Sequence, residues 1–256
     1  MSAGVWKARE TREISMTMPL ETVLLYALPG VGTLAVGGTV AAFWKPGPTL
    51  RSAIQHFAAG VVFAVVAVEL LPDIRRGGSA LWVGIGFAIG VAGMLGLRRL
   101  SGEGERERQQ EGWPWGLLGA VTVDVFNDGL LLSVGFTVGA KTGILLAFAL
   151  AVEFLSVGLA TSATLGQSAS AARWKLIGTT GGLALPFVGG AVLGATLLQG
   201  LTGNPLAGVL SFACAALLYL VTEELLVEAH EVKKTSMAAS MFFAGFLLFL
   251  LLGMLE

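Results

Sequence analysis

Charge is scarce in this chain. Asp, Glu, Lys and Arg together make up 13% of 256 residues, against 55% hydrophobic ones, a balance that argues against a soluble enzyme and for an integral membrane protein. Cysteine is nearly absent. Cys214 stands alone inside an apolar run, so no intramolecular disulfide can form, and the residue reads as a small core hydrophobe. Neither sign of charge dominates, and a net charge of -1 says nothing about partners. Residues 1–18 have no apolar core and no small-residue cleavage pattern, unlike a secretory signal. They are expected to form a polar tail ahead of a single transmembrane domain over 19–256.

What the chain has in quantity is apolar sequence. A spanning helix needs about 20 apolar residues. Punctuation by charge, Gly and Pro divides the chain into eight such stretches, near 19–43, 50–74, 79–98, 114–138, 142–167, 174–200, 204–230 and 236–255. The expected fold is therefore an all-α membrane protein of eight transmembrane helices. The longest connection, Ser101 to Trp113, is dense in mixed charge and reads as a solvated loop. With both termini outside, Lys45, Arg51, Arg98, Arg99, Arg106, Arg108, Arg173, Lys175, Lys233 and Lys234 fall on cytoplasmic loops. The positive-inside rule favours that orientation, although the basic tail dissents. Gly86 with Gly90, and Gly190 with Gly194, form small-xxx-small pairs suited to close helix packing, within one chain or across a homodimer.

The segment from Phe57 to Asp73 aligns without gaps on that from Phe212 to Glu228, pairing Glu69 with Glu224 and Asp73 with Glu228. Three spans lie before the central pair and three after, and spans two and seven insert in opposite directions. That 3+2+3 arrangement fits an inverted-repeat transporter, with convergence on a common helix-end pattern as the alternative.

Carboxylates in the middle of spans four and five are the chemistry-bearing feature. A charged side chain at a membrane centre costs roughly 2.5 to 3.5 kcal/mol on insertion scales. Asp124, Asn127 and Asp128 share one face of span four at i, i+3 and i+4. On span five, Glu153 and Ser156 share a face, and a tight turn around Gly139 to Thr142 brings the two acid-bearing stretches to similar depth. Carboxylate and amide oxygens in that geometry suit hard divalent cations and also bind Zn. At the ends of spans two and seven, Glu69, Asp73, Glu223, Glu224 and Glu228 form either acidic vestibules or solvated helix ends. His56 and His230 lie at membrane boundaries, where they either cap helices or touch metal in transit.

These segments resemble the ZIP family of divalent metal transporters. ELLPD at Glu69 to Asp73 looks like that family's span-two ending HLLPE, and DVFNDG at Asp124 to Gly129 aligns with its HNxxEG motif. VEFLSVGLA from Val152 matches the frame of HExPEGLA, and LLYLVTEELLVE at Leu217 to Glu228 looks like the span-seven ending. The resemblance implies metal transport across a bacterial inner membrane by alternating access, with both termini extracytoplasmic. Zn, Fe or Mn is then the substrate, and neither an enzyme activity, an organic cofactor nor a nucleic-acid partner is expected. The chain also departs from the family. Asp124 and Val125 stand where it has His and Asn, Glu153 replaces the first His of span five, and Phe154 and Val157 replace later polar ligands. Family members often hold two adjacent metals, so the departures imply a single-metal site of Asp124, Asp128 and Glu153. Its oxygen-only ligands weaken the preference for Zn relative to Mn, ferrous iron or Mg.

Two other readings stand beside transport. Loss of the usual ligands fits a non-transporting relic acting as receptor or scaffold. An acid pair of Asp124 or Asp128 with Glu153 fits an intramembrane hydrolase, but the chain lacks the GxGD signature of membrane aspartyl proteases.

Overall fold

The computed structural model describes residues 20–44, 46–107, 115–168, 172–198, 200–229 and 236–254. The polar tail and His230 lie outside the described residues. Regular structure among those described is all helical. The helices are α1 (Leu20–Phe43), α2 (Pro48–Val65, continued through Leu71–Gly77), α3 (Ala80–Glu107), α4 (Trp115–Val138), α5 (Ala140–Ser168), α6 (Arg173–Gly182 and Ala184–Leu197), α7 (Gly203–Tyr219, continued through Leu226–Ala229) and α8 (Ser236–Met254). Six of them, α1, α2, α4, α5, α6 and α7, are long and apolar enough to cross a membrane, while α3 and α8 contain the shorter apolar stretches Ala80–Gly96 and Ala239–Met254.

The distribution of side chains agrees with a lipid environment. Leu25, Leu81, Ile89, Leu185 and Phe243 are exposed, while Asp128, Glu153, Ser156 and Ser162 are buried. In water such a surface would be one large apolar patch. The chain is an integral membrane protein by these criteria.

One helix outruns its expected span and another is interrupted. α3 continues to Glu107, nine residues past the expected end of span three, because Glu and Arg are strong helix formers. α6 breaks at Leu183, whose N–H bonds the Thr180 carbonyl at 3.2 Å instead of continuing the α ladder. Pro186 lies just beyond and has no N–H for the Gly182 carbonyl, which explains the break. Pro29 leaves α1 unbroken, and the Thr33 hydroxyl donates to its carbonyl at 3.1 Å.

The helices pair closely. α1 packs chiefly on α5 and α4 on α6, α2 packs on α8 and α3 on α7, and α4 and α5 meet in the middle. Glycine makes the first four of these contacts possible, because a Cβ would strike the backbone of the neighbouring helix. Gly37 faces the Leu155 carbonyl, Gly190 that of Phe126, Gly245 that of Phe57 and Gly90 that of Phe212. Both glycine pairs noted in the sequence thus pack within the chain.

These contacts are duplicated. One sequence offset separates Gly37 from Gly190 and Leu34 from Phe187, and another separates Phe126 from Leu155 and Gly129 from Gly158. The α1–α5 contact is therefore repeated residue for residue by α6 and α4. Likewise Phe57 is as far from Phe212 as Gly90 is from Gly245, so the α2–α8 contact recurs between α7 and α3. Buried hydroxyls follow the same rule: Ser133 donates to the Ala191 carbonyl at 2.6 Å, and Ser162 to that of Gly38 at 2.9 Å. The acidic segments of α2 and α7 share one more irregularity, a π-helical turn at Val66–Leu70 and at Leu220–Leu225. In each, the closing bond falls at the equivalent place, from Leu71 N–H to the Val66 carbonyl and from Leu226 N–H to that of Val221.

Candidate metal site

The site begins with the turn between α4 and α5. Only Gly139 separates the two helices, so α5 returns directly alongside α4. Phe154 lies edge-on to Phe187 of α6 with ring centroids 4.7 Å apart, and Gly129 and Gly158 let α6 and α1 approach closely. This packing fixes the rotation of both central helices and turns their acids toward each other.

Asp124, Asp128 and Glu153 each offer a carboxylate oxygen, and these three atoms lie within 4.8 Å of one another. Glu153 is fully buried and Asp128 is 1% exposed, while Asp124 is half-buried. Neither oxygen of Glu153 has a hydrogen-bond partner, nor does Oδ2 of Asp128. Among the described residues no Lys or Arg pairs with either group. Buried carboxylates without partners are costly in a membrane interior, and a bound cation is one group that would satisfy them. The three therefore form a buried acidic cluster with the spacing to hold a metal ion.

A cavity of about 80 Å³ runs from this cluster toward the start of α4 and the end of α5. It is lined by Asp124, Glu153 and Ser156, by Thr161 and Thr164 on α5, and by Glu224 on α7. An ion with part of its water shell fits there, since one water needs roughly 10–15 Å³ of such space. The lining is oxygen-rich in otherwise apolar surroundings.

The sequence-expected residues separate into groups. Asp124, Asp128, Glu153 and Ser156 come together; Asn127 is half-buried on the same turn of α4 but does not line the cavity. The vestibule acids do not act as one set. Glu224 joins the cavity and lies within electrostatic range of Asp128 and Glu153. On α2, the Glu69 Oε2 accepts a hydrogen bond from the Thr142 hydroxyl at 3.3 Å. Asp73 lies 3.9 Å from Arg76, one turn away, as a helix-end ion pair, and Glu223 is exposed. The side chain of Glu228 lies outside the described part. His56 is buried at the start of α2, where its Nδ1 lies 2.8 Å from the Ser52 carbonyl, while the Ser52 hydroxyl donates to the Ala229 carbonyl of α7 at 2.7 Å.

Sequence reading missed three things. Thr161 lies two turns beyond Glu153 on the same helical face, a spacing that was visible. Thr142 had no signal, because its partner Glu69 is distant in sequence. The third is a relation between the central helices: VDVFNDG at 123–129 aligns without gaps on VEFLSVG at 152–158. The offset that carries Ser133 to Ser162 also carries Asp124 to Glu153, Asn127 to Ser156, and Asp128 to Val157.

No protein-family model matches the chain, and no curated protein matches its sequence.

Proposed function

We propose that the chain carries divalent metal cations across a membrane through a single site made by Asp124, Asp128 and Glu153, with Ser156 and Asn127 as accessory oxygen donors. The observation that carries this reading is the convergence of three carboxylates within 4.8 Å, two of them buried and with oxygens that make no hydrogen bond. A structural salt-bridge cluster would pair such groups with Lys or Arg. An oxygen-only donor set suits Mn, ferrous iron or Mg, and also binds Zn.

In this proposal the protein is a ZIP-like carrier of eight spans in a 3+2+3 inverted repeat, with both termini outside a bacterial inner membrane. The duplicated helix contacts support the repeat, and the apolar stretches of α3 and α8 supply the remaining two spans. The pairing pattern supports two moving bodies, α1 with α4, α5 and α6, and α2 with α3, α7 and α8. Sliding or rocking of one against the other exposes the central site to each face in turn. Its present opening lies on the side of Leu117 and Thr164, where Glu224 is the next carboxylate an ion meets.

Uptake of Mn in cells expressing Asp128→Ala tests the proposal. The variant should lose more than about tenfold in rate at low Mn, since one charged ligand is gone. Wild-type rates in that variant would overturn it. Calorimetric titration of the purified wild-type chain with Mn separates transport from the relic reading, which requires no binding at these carboxylates.

A further inference from the structure

α2 and α7 carry the same irregular segment, with a π-helical turn at the equivalent place and one acid at the equivalent position, Glu69 in α2 and Glu224 in α7. A π turn rotates the residues after it relative to those before, and such turns recur at functional sites. The two acids nevertheless have different surroundings. Glu224 lines the cavity together with Glu153, whose carboxylate is fully buried, makes no hydrogen bond and points into the same space. Glu69 is bonded to Thr142 in the first turn of α5, with its other oxygen beside Gly253 of α8. Thr142 lies at one end of α5, and the cavity-lining Thr161 and Thr164 lie at the other. Glu69 and Glu224 thus flank Glu153 from opposite ends of a single helix.

An ion leaving three carboxylates needs a further negative group on its path, because a site that binds only at one point holds its ion too firmly to release it. On the open side Glu224 supplies that group. Resting on the transport reading above, we propose that Glu69 is its counterpart on the closed side: a carboxylate ligand for the divalent cation in the opposite-facing state, held by the Thr142 hydroxyl in the state described here. Movement of α5 relative to α2 breaks the Thr142 bond, frees the Glu69 carboxylate and brings the central acids toward it. The α2 and α7 segments then exchange surroundings, as equivalent halves of a duplicated fold should.

Mn influx compared in whole cells and in everted membrane vesicles tests this, with each preparation presenting one face of the protein. Glu69→Gln should raise the half-saturating Mn concentration about tenfold for uptake from one face and less than about twofold from the other. Glu224→Gln should show the reverse preference. Thr142→Val, which leaves both acids in place but removes the hydroxyl, should lower the half-saturating concentration on the face that Glu69→Gln weakens. Glu69→Asp, with elution as a single species in detergent, guards against misfolding and should keep more activity than Glu69→Gln. If Glu69→Gln affects neither face, both faces equally, or the same face as Glu224→Gln, the inference is wrong although transport stands. Absence of Mn flux through the wild-type chain sinks both the inference and the transport reading.

Discussion

α4 and α5 follow one pattern and carry different charges. Each presents a glycine to a neighbouring helix, Gly129 to α6 and Gly158 to α1, and each donates one buried hydroxyl to the same neighbour, from Ser133 and from Ser162. Each has an acid at the equivalent position, Asp124 and Glu153, and a small polar residue three positions on, Asn127 and Ser156. The correspondence fails at the next position, where α4 has the buried Asp128 and α5 has the partly buried Val157. The packing framework is duplicated, whereas the negative charge is concentrated on α4. In the transport reading, that asymmetry places one ion toward α4 and leaves the equivalent position on α5 without a ligand.

The largest expected effect tests the shared framework. Gly129→Val and Gly158→Val both push a branched side chain into the backbone of the facing helix, Gly129 against the Phe187 carbonyl and Gly158 against that of Leu34. Helix backbones do not yield as side-chain tips do. Each variant should lose stability at or above the upper end of the ~1–3 kcal/mol range for overpacking, read as reduced yield of monodisperse protein and a lower unfolding temperature in detergent. Equal losses support equivalence of the two contacts. Tolerance of Val at one position would break it.

A smaller effect tests the difference. Val157→Asp gives α5 the carboxylate that α4 already has. Without metal it should destabilise the protein by roughly 2.5–3.5 kcal/mol, the insertion penalty for one charge at a helix centre. With Mn present the variant should recover more stability than the wild type gains, because bound ion stabilises by mass action and now meets one more ligand. Thermal unfolding with and without Mn measures both. An equal penalty in the two conditions would mean that position 157 does not face an ion.

Hydropathy made most helix positions legible, and the short turn at Gly139 made the equal depth of Asp124, Asp128 and Glu153 legible as well. The i, i+4 spacing of Asp124 and Asp128 put both acids on one face of α4. Helix pairing was not legible in the same way. A leucine facing lipid and a leucine facing another helix have the same hydropathy, so nothing in Leu25 or Leu34 says that the first is exposed and the second buried. Glycines hinted at contacts without naming partners, since Gly90 meets Phe212 and Gly245 meets Phe57 across long stretches of chain. The repeat is conspicuous where acids are paired, in α2 and α7. It is hidden between α4 and α5, where the spacing repeats but Asp128 is matched by Val157. The end of α3 was not legible, because a dense run of mixed charge reads as loop although its Glu and Arg residues favour helix.

The smallest effect tests the duplication most finely. Ser133 and Ser162 each donate across a helix interface to a carbonyl, of Ala191 in one case and Gly38 in the other, and both hydroxyls are buried. Hydrogen bonds of this kind between membrane helices average about 0.6 kcal/mol and reach about 1.7. Ser133→Ala and Ser162→Ala should each lower stability within that range, measured by unfolding in mild detergent with added denaturant. The bonds tie α4 to α6 and α5 to α1, and the two serines share no partner, so the double variant should lose the sum of the two to within about 0.5 kcal/mol. A larger coupling would show that the two halves of the bundle respond to each other even when the bonds cut are local. In a carrier that moves α1, α4, α5 and α6 as one body, additivity of these two losses is what separate, equivalent fastenings within that body should give.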